Sequence, residues 1–265
     1  MTAARPRPGQ APAGAALAFD GFRRQWSAWC RDAVLDLLDT LSNPGFIDRA
    51  AGSCLPAAAH EALQAAWAAP CRSAPALGGA LLRPLLVCLL MQAFGRDPRE
   101  APVAVALPAI LHAASLALDG EAPWGRGTAG GRPIDAHVAD AAATWLNAGF
   151  ELLAHPVPGL DDATAARLVD ALAWAHWANG MAGPPGTQRP AAPGGRLALE
   201  IGAIAAGATP GQVRRLADFG EALGPAGTCA RQARALAQAL DFLPPADRLR
   251  LAGFADCVAE AAAPW

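Results

Sequence analysis

The chain contains no lysine and no tyrosine, so arginine supplies every one of its 21 basic side chains. Charged residues make up only 17% of the sequence and nearly cancel, leaving a net charge of −2. That balance excludes a basic stripe for nucleic acid and a polybasic contact with an anionic membrane. The six cysteines (30, 54, 71, 88, 229 and 257) include no CxxC and no Cys/His cluster at zinc spacing. They read as unpaired thiols of a reducing cytoplasm. No apolar run reaches the ~20 residues that span a bilayer; the longest, residues 81–93, is interrupted by Arg83 and Pro84. Residues 1–14 lack the apolar core of a secretory leader, so a soluble, cytoplasmic protein is expected. GxSxG, P-loop, HExxH and dinucleotide fingerprints are all missing.

What is present is apolar helix. Hydrophobic residues form 53% of the chain, ample for a core. Phe22, Trp26, Trp29, Val34, Leu37, Leu38 and Leu41 recur at three- and four-residue intervals, which predicts an amphipathic helix over 19–41 stopped by Ser42-Asn43-Pro44-Gly45. Further helices are expected at 55–67, 82–94, 102–118, 135–153, 163–179, 197–207, 210–223, 227–242 and 247–263. Residues 102–118 are apolar around most of the circumference, as in the centre of a bundle. Asp161 or Asp162 is expected to cap the helix at 163, and Thr209-Pro210 to start the helix at 210. Gly/Pro-rich loops fill 120–133 and 180–195. No strand pattern and no internal repeat appears. The expected organisation is all-α, with a disordered arm over 1–15 and a single helical domain over 16–265.

Four landmarks fall in a characteristic order: Gly78-Gly79-Ala80-Leu81-Leu82-Arg83-Pro84-Leu85-Leu86, then Leu111-His112-Ala113-Ala114-Ser115-Leu116, then Gly131-Arg132-Pro133, then Phe150-Glu151-Leu152-Leu153-Ala154. They resemble the GGKRLRPLL, IHxxSLIHDDxxxxD, RRGKP and AFELLA signatures of the trans-isoprenyl (polyprenyl) diphosphate synthases. The resemblance extends over roughly residues 45–240 through Gly180-Met181-Ala182-Gly183, Leu199-Glu200-Ile201-Gly202-Ala203-Ile204 and Phe219-Gly220-Glu221. It implies an isoprenoid synthase-type bundle of roughly ten or more helices around a central apolar cavity.

The same resemblance implies two opposed aspartate-rich sites. They would hold Mg²⁺ against the diphosphate that leaves when an allylic C–O bond ionises. This chain departs from that pattern. Asp119 matches the first aspartate, but Gly120 and Gly125 stand where the others belong, and Glu121 would point away on a helix. At the second motif the aspartate pair becomes Arg231-Gln232 and the third aspartate becomes Ala235. An arginine at a metal position repels the cation by several kcal/mol even at an effective dielectric of about 20. No metal cluster and no cofactor is therefore expected.

Of the residues that bind the isopentenyl diphosphate in the family, Arg83 and His112 remain while Ala80 replaces the lysine. Arg132 keeps the basic position of GKP, though not its geometry, and Gln188 follows a Pro-Pro-Gly-Thr insertion in the GMxGGQ segment. Arg83, His112, Asp119, Arg132 and Gln188 are the expected substrate-binding set. Arg231 and Arg234 are expected to face Asp119 or Glu121 across the former cavity, and Trp174 and Trp177 to lie in the core or at a subunit contact.

The resemblance places subunit pairing in residues 107–153, which leads to the expectation of a homodimer, or of a heterodimer with an active isoprenyl diphosphate synthase. The expected function is that of a non-catalytic partner or regulatory subunit in isoprenoid biosynthesis. Two alternatives stay open: a binding protein that takes an isoprenoid diphosphate or another lipid in the old cavity, and a divergent prenyltransferase with residual activity.

Overall fold

The computed structural model describes residues 13–51, 81–118, 147–180, 194–223 and 230–260. Among them there is helix and no strand. The elements are α1 (Ala13–Leu41), α2 (Pro44–Ala51), α3 (Leu82–Ala93), a 3₁₀ turn (Pro98–Glu100), α4 (Pro102–Leu118), α5 (Asp162–Gly180), α6 (Gly194–Ala205), α7 (Pro210–Ala222), α8 (Ala230–Ala239) and α9 (Pro245–Glu260). Residues 147–153 are also helical. No described helix is long and apolar enough to cross a membrane.

Local chemistry sets the boundaries. Asn43, expected to end the first helix, also begins the second: its side-chain oxygen accepts the Gly45 N–H at 3.0 Å. Pro44 then occupies the first helical position, where a missing N–H is harmless. Asp161 caps α5 by accepting the Thr164 N–H at 2.7 Å. Thr209 and Gln212 form a reciprocal capping box on α7, again with proline at the first helical position. The Ala/Gly-rich α6 begins three residues before its expected start and ends two before its expected end.

α6 is the hub. It packs against α3, α4, α5 and α7, and Leu197, Ala198, Leu199, Ile201, Ala203 and Ala205 on it are all buried. Small residues let its neighbours come close. A Cβ on Gly220 of α7 would lie 2.6 Å from the Arg196 Cα of α6, so those two backbones are in near contact.

α1 runs across the bundle with one stripe inward. Phe19, Phe22, Trp26 and Cys30 join the main core, and Phe19 meets Phe254 of α9 edge to face at 5.3 Å. The second half of the helix, through Val34, Leu37, Leu38 and Leu41, builds a smaller core with Phe46, Ile47, Ala106, Ala109, Ile110 and Ala148. Several apolar residues of the expected pairing stretch are thus covered within one chain. Cys30 and Cys88 are buried free thiols whose sulfurs lie 3.5 Å apart, a proximity that their sequence positions do not reveal.

Candidate functional site

Arg83 sits in the first turn of α3, a helix whose next eight residues are all buried, and its own side chain is 0% exposed. A guanidinium gives up much hydration there, and burial pulls its pKa down to about 9. His112 stands on α4, which packs directly on α3. Burial drives the imidazole well below its usual range, and the positive charge of Arg83 lowers it further. The two residues that the resemblance assigns to an anion therefore lie within electrostatic reach of each other, held by two buried helices. His112 is neutral at pH 7, while Arg83 carries charge there. Such a pair can receive an oxyanion: the guanidinium supplies charge and a planar donor fork, and the imidazole offers one N–H when neutral and charge with a second N–H once protonated.

Asp119, Arg132 and Gln188, the remainder of the expected set, lie outside the described residues, as do Gly78-Gly79 and Glu121. The second motif is described at its replaced positions. Arg231 and Gln232 open α8 with exposed side chains. Arg234, one turn on, is half-buried and forms an ion pair with Asp256 of α9, whose side chain is only 8% exposed. Among the described residues its carboxylate partner is thus Asp256 on α9; Asp119 and Glu121, which the two arginines were expected to face, lie outside them. Mg²⁺ requires carboxylate oxygens in near-octahedral array. A guanidinium, an amide and a carboxylate already bound to arginine do not fit that need. No group of three or more His, Cys, Asp or Glu side chains is placed to hold a metal among the described residues.

A polar cluster on α6 went unnoticed in the sequence. Glu200 is 8% exposed and hydrogen-bonds the Arg196 Nε at 2.9 Å. Burial raises its pKa, and the arginine pulls it partly back. Arg196 also bonds Glu221 of α7 and lies over the Trp174 ring, 3.7 Å from its centroid. Trp174 is therefore neither in the core nor bare: it is 36% exposed and roofed by a cation. The Arg196–Glu200 pair has the i,i+4 spacing that could have disclosed it. The side chain of Trp177 lies outside the described set.

Arg96, in the loop after α3, donates to the carbonyls of Ala205 and Gly159 and to Glu100. One guanidinium thereby ties together the ends of α3 and α6 and the turn that leads into α5.

No family model matches this sequence, and no curated protein matches it. Among solved structures, the chain is similar to a geranylgeranyl pyrophosphate synthase at 16% identity and a TM-score of 0.49, over 83% of this chain and 66% of that one. It thus spans just under two thirds of that protein's length.

Proposed function

We propose that this chain is a prenyl diphosphate synthase-like protein that has lost the metal-dependent half of the chemistry and kept a place for a diphosphate. In this reading it makes no carbon–carbon bond itself. It works in the cytoplasm as partner or regulatory subunit of an active isoprenyl diphosphate synthase. The single observation behind the reading is the convergence of Arg83 and His112 from two packed helices. These are the two residues retained from the family's isopentenyl diphosphate pocket. The second motif supports the non-catalytic side, since it presents Arg231, Gln232 and an Arg234–Asp256 ion pair in place of carboxylates. The subunit contact in this reading lies in residues 107–153, on side chains other than Ala109, Ile110 and Ala148, which pack against α1 and α2.

The test is a radiolabelled assay with isopentenyl diphosphate and each allylic diphosphate from C5 to C20 in excess Mg²⁺. It is run on the protein alone and again with the host's active synthase. The expected result is no elongated product alone, and a changed rate or chain length in the mixture. Product from the protein alone overturns the reading. Silence in both arms, with isoprenoid diphosphate still bound, moves the function to a lipid-diphosphate binding protein.

A further inference from the structure

At the far end of α3 from Arg83, about nine residues and so ~14 Å along the helix axis, the surface opens into a cleft of about 350 Å³. Its walls are Gln25 and Trp26 of α1, Gln92 of α3, and Arg96, Asp97 and Arg99 of the following loop and turn. That volume lies at the small end of ligand sites. The lining is unusual in its imbalance of donors over acceptors.

Trp26 is 3% exposed, and its indole Nε1 is buried with no hydrogen-bond acceptor. An indole N–H can only donate, and a buried donor without an acceptor is destabilising. The Arg99 guanidinium lies over this indole, 5.1 Å from the ring centroid. The Arg99 side chain is 64% exposed, and its charged contact is Asp97 at 3.6 Å, beyond good hydrogen-bond range. Asp97 is itself engaged, accepting the Arg99 backbone N–H at 3.0 Å. The side-chain amides of Gln25 and Gln92 add donors and acceptors to the lining. Arg96 is committed to Ala205, Gly159 and Glu100.

We propose that this cleft binds a small monocarboxylate that also carries a hydroxyl group, of the α-hydroxy acid class. The carboxylate draws the Arg99 guanidinium off the indole face and pairs with it, accepting the Trp26 Nε1–H at the edge of the ring, while the two glutamine amides take the hydroxyl. A monoanion suits the site better than a phosphate or diphosphate, because the Asp97 carboxylate lines it and repels added negative charge. The cleft is separate from Arg83 and His112, so the inference stands whether or not a diphosphate binds there.

The experiment uses the full chain at fixed ionic strength, titrated calorimetrically with lactate and with glycerate, and with inorganic phosphate and diphosphate as controls. Saturable binding of at least one hydroxy acid is expected, with phosphate much weaker. Arg99→Gln and Trp26→Phe should each weaken that binding by about tenfold or more, the effect of losing one charged or one buried hydrogen bond. Both variants are checked by circular dichroism, and Arg99→Gln decides the matter if Trp26→Phe fails to fold. Absence of saturable binding by either acid up to about 10 mM, equal binding of phosphate, or a folded variant that binds like the parent overturns the proposal.

Discussion

Replacing Arg83 by methionine should make the protein more stable and, at the same time, unable to hold a diphosphate. The guanidinium pKa falls from 12.5 to about 9 on folding, purely through burial. The difference of 12.5 − 9 = 3.5 units, at ~1.36 kcal/mol per unit, sets a ceiling of about 5 kcal/mol on the destabilisation. Methionine also forfeits the contacts that Arg83 makes, so a gain of about 1–4 kcal/mol is expected, as when other buried charges are replaced by apolar residues.

The sign of the pH dependence follows from the direction of the shift. Because the folded pKa is depressed, the unfolded chain binds the proton more tightly, and the penalty is fully present below about pH 9. It shrinks as pH rises from there toward 12.5, so the advantage of Arg83→Met should narrow by roughly 1.4 kcal/mol per pH unit above 9. With no lysine or tyrosine in the chain, few other groups titrate in that window. The buried Cys88 thiol, pushed far up by burial, is common to both proteins and cancels in the difference. Urea denaturation of parent and variant at neutral and alkaline pH measures the effect. A variant less stable than the parent at pH 7, or a gap that ignores pH, would refute the claim that this charge is held at a net cost.

Two further outcomes follow from the geometry. Neutral His112 must gain a proton to donate fully to an oxyanion, so binding of inorganic diphosphate should take up a proton and tighten as pH falls from about 8 to 6. Calorimetry in buffers of different ionisation enthalpy reads this directly, and His112→Gln should flatten the dependence; an unchanged profile in that variant removes His112 from the site. Gly253→Ala on α9 places a Cβ 2.2 Å from the Ala15 carbonyl oxygen of α1, a backbone atom that cannot swing away. Overpacking of this kind costs roughly 1–3 kcal/mol, partly offset by the ~1 kcal/mol that alanine gains over glycine in a helix. A stability equal to or above the parent's in urea melts would show that α1 and α9 do not pack this closely.

Most of the helices were legible because their apolar spacing and punctuation agree. The 102–118 helix matches the expected span at both ends, and the Thr209-Pro210 start was readable from cap chemistry alone. Pro44 misled the reading: a proline that ends one pattern can equally open the next, and only Asn43 acting as a cap decides between them. At the candidate site, sequence order singled out Arg83 and His112, which lie 29 positions apart. Their mutual approach depends on how α3 and α4 cross, and periodicity is silent on that. Arg234 shows the same limit. Its charge inversion was evident in the sequence, but its partner Asp256 lies 22 residues downstream on another helix, and no local pattern names it. The donor excess around Trp26 was wholly hidden, since it arises where one helix meets the exit loop of another.

The contact between α1 and α9 bears on how the chain is made. Phe19 and the backbone at Ala15 find their partners, Phe254 and Gly253, some 235 positions later. At ~5–20 residues per second, translation leaves roughly 10–50 s during which α1 has emerged and its partner has not. Throughout that interval Phe19 lacks the ring that covers it in the folded protein and is open to holdases or to neighbouring polysomes. The clasp between α1 and α9 therefore closes only once α9 has left the ribosome, long after α1 has formed.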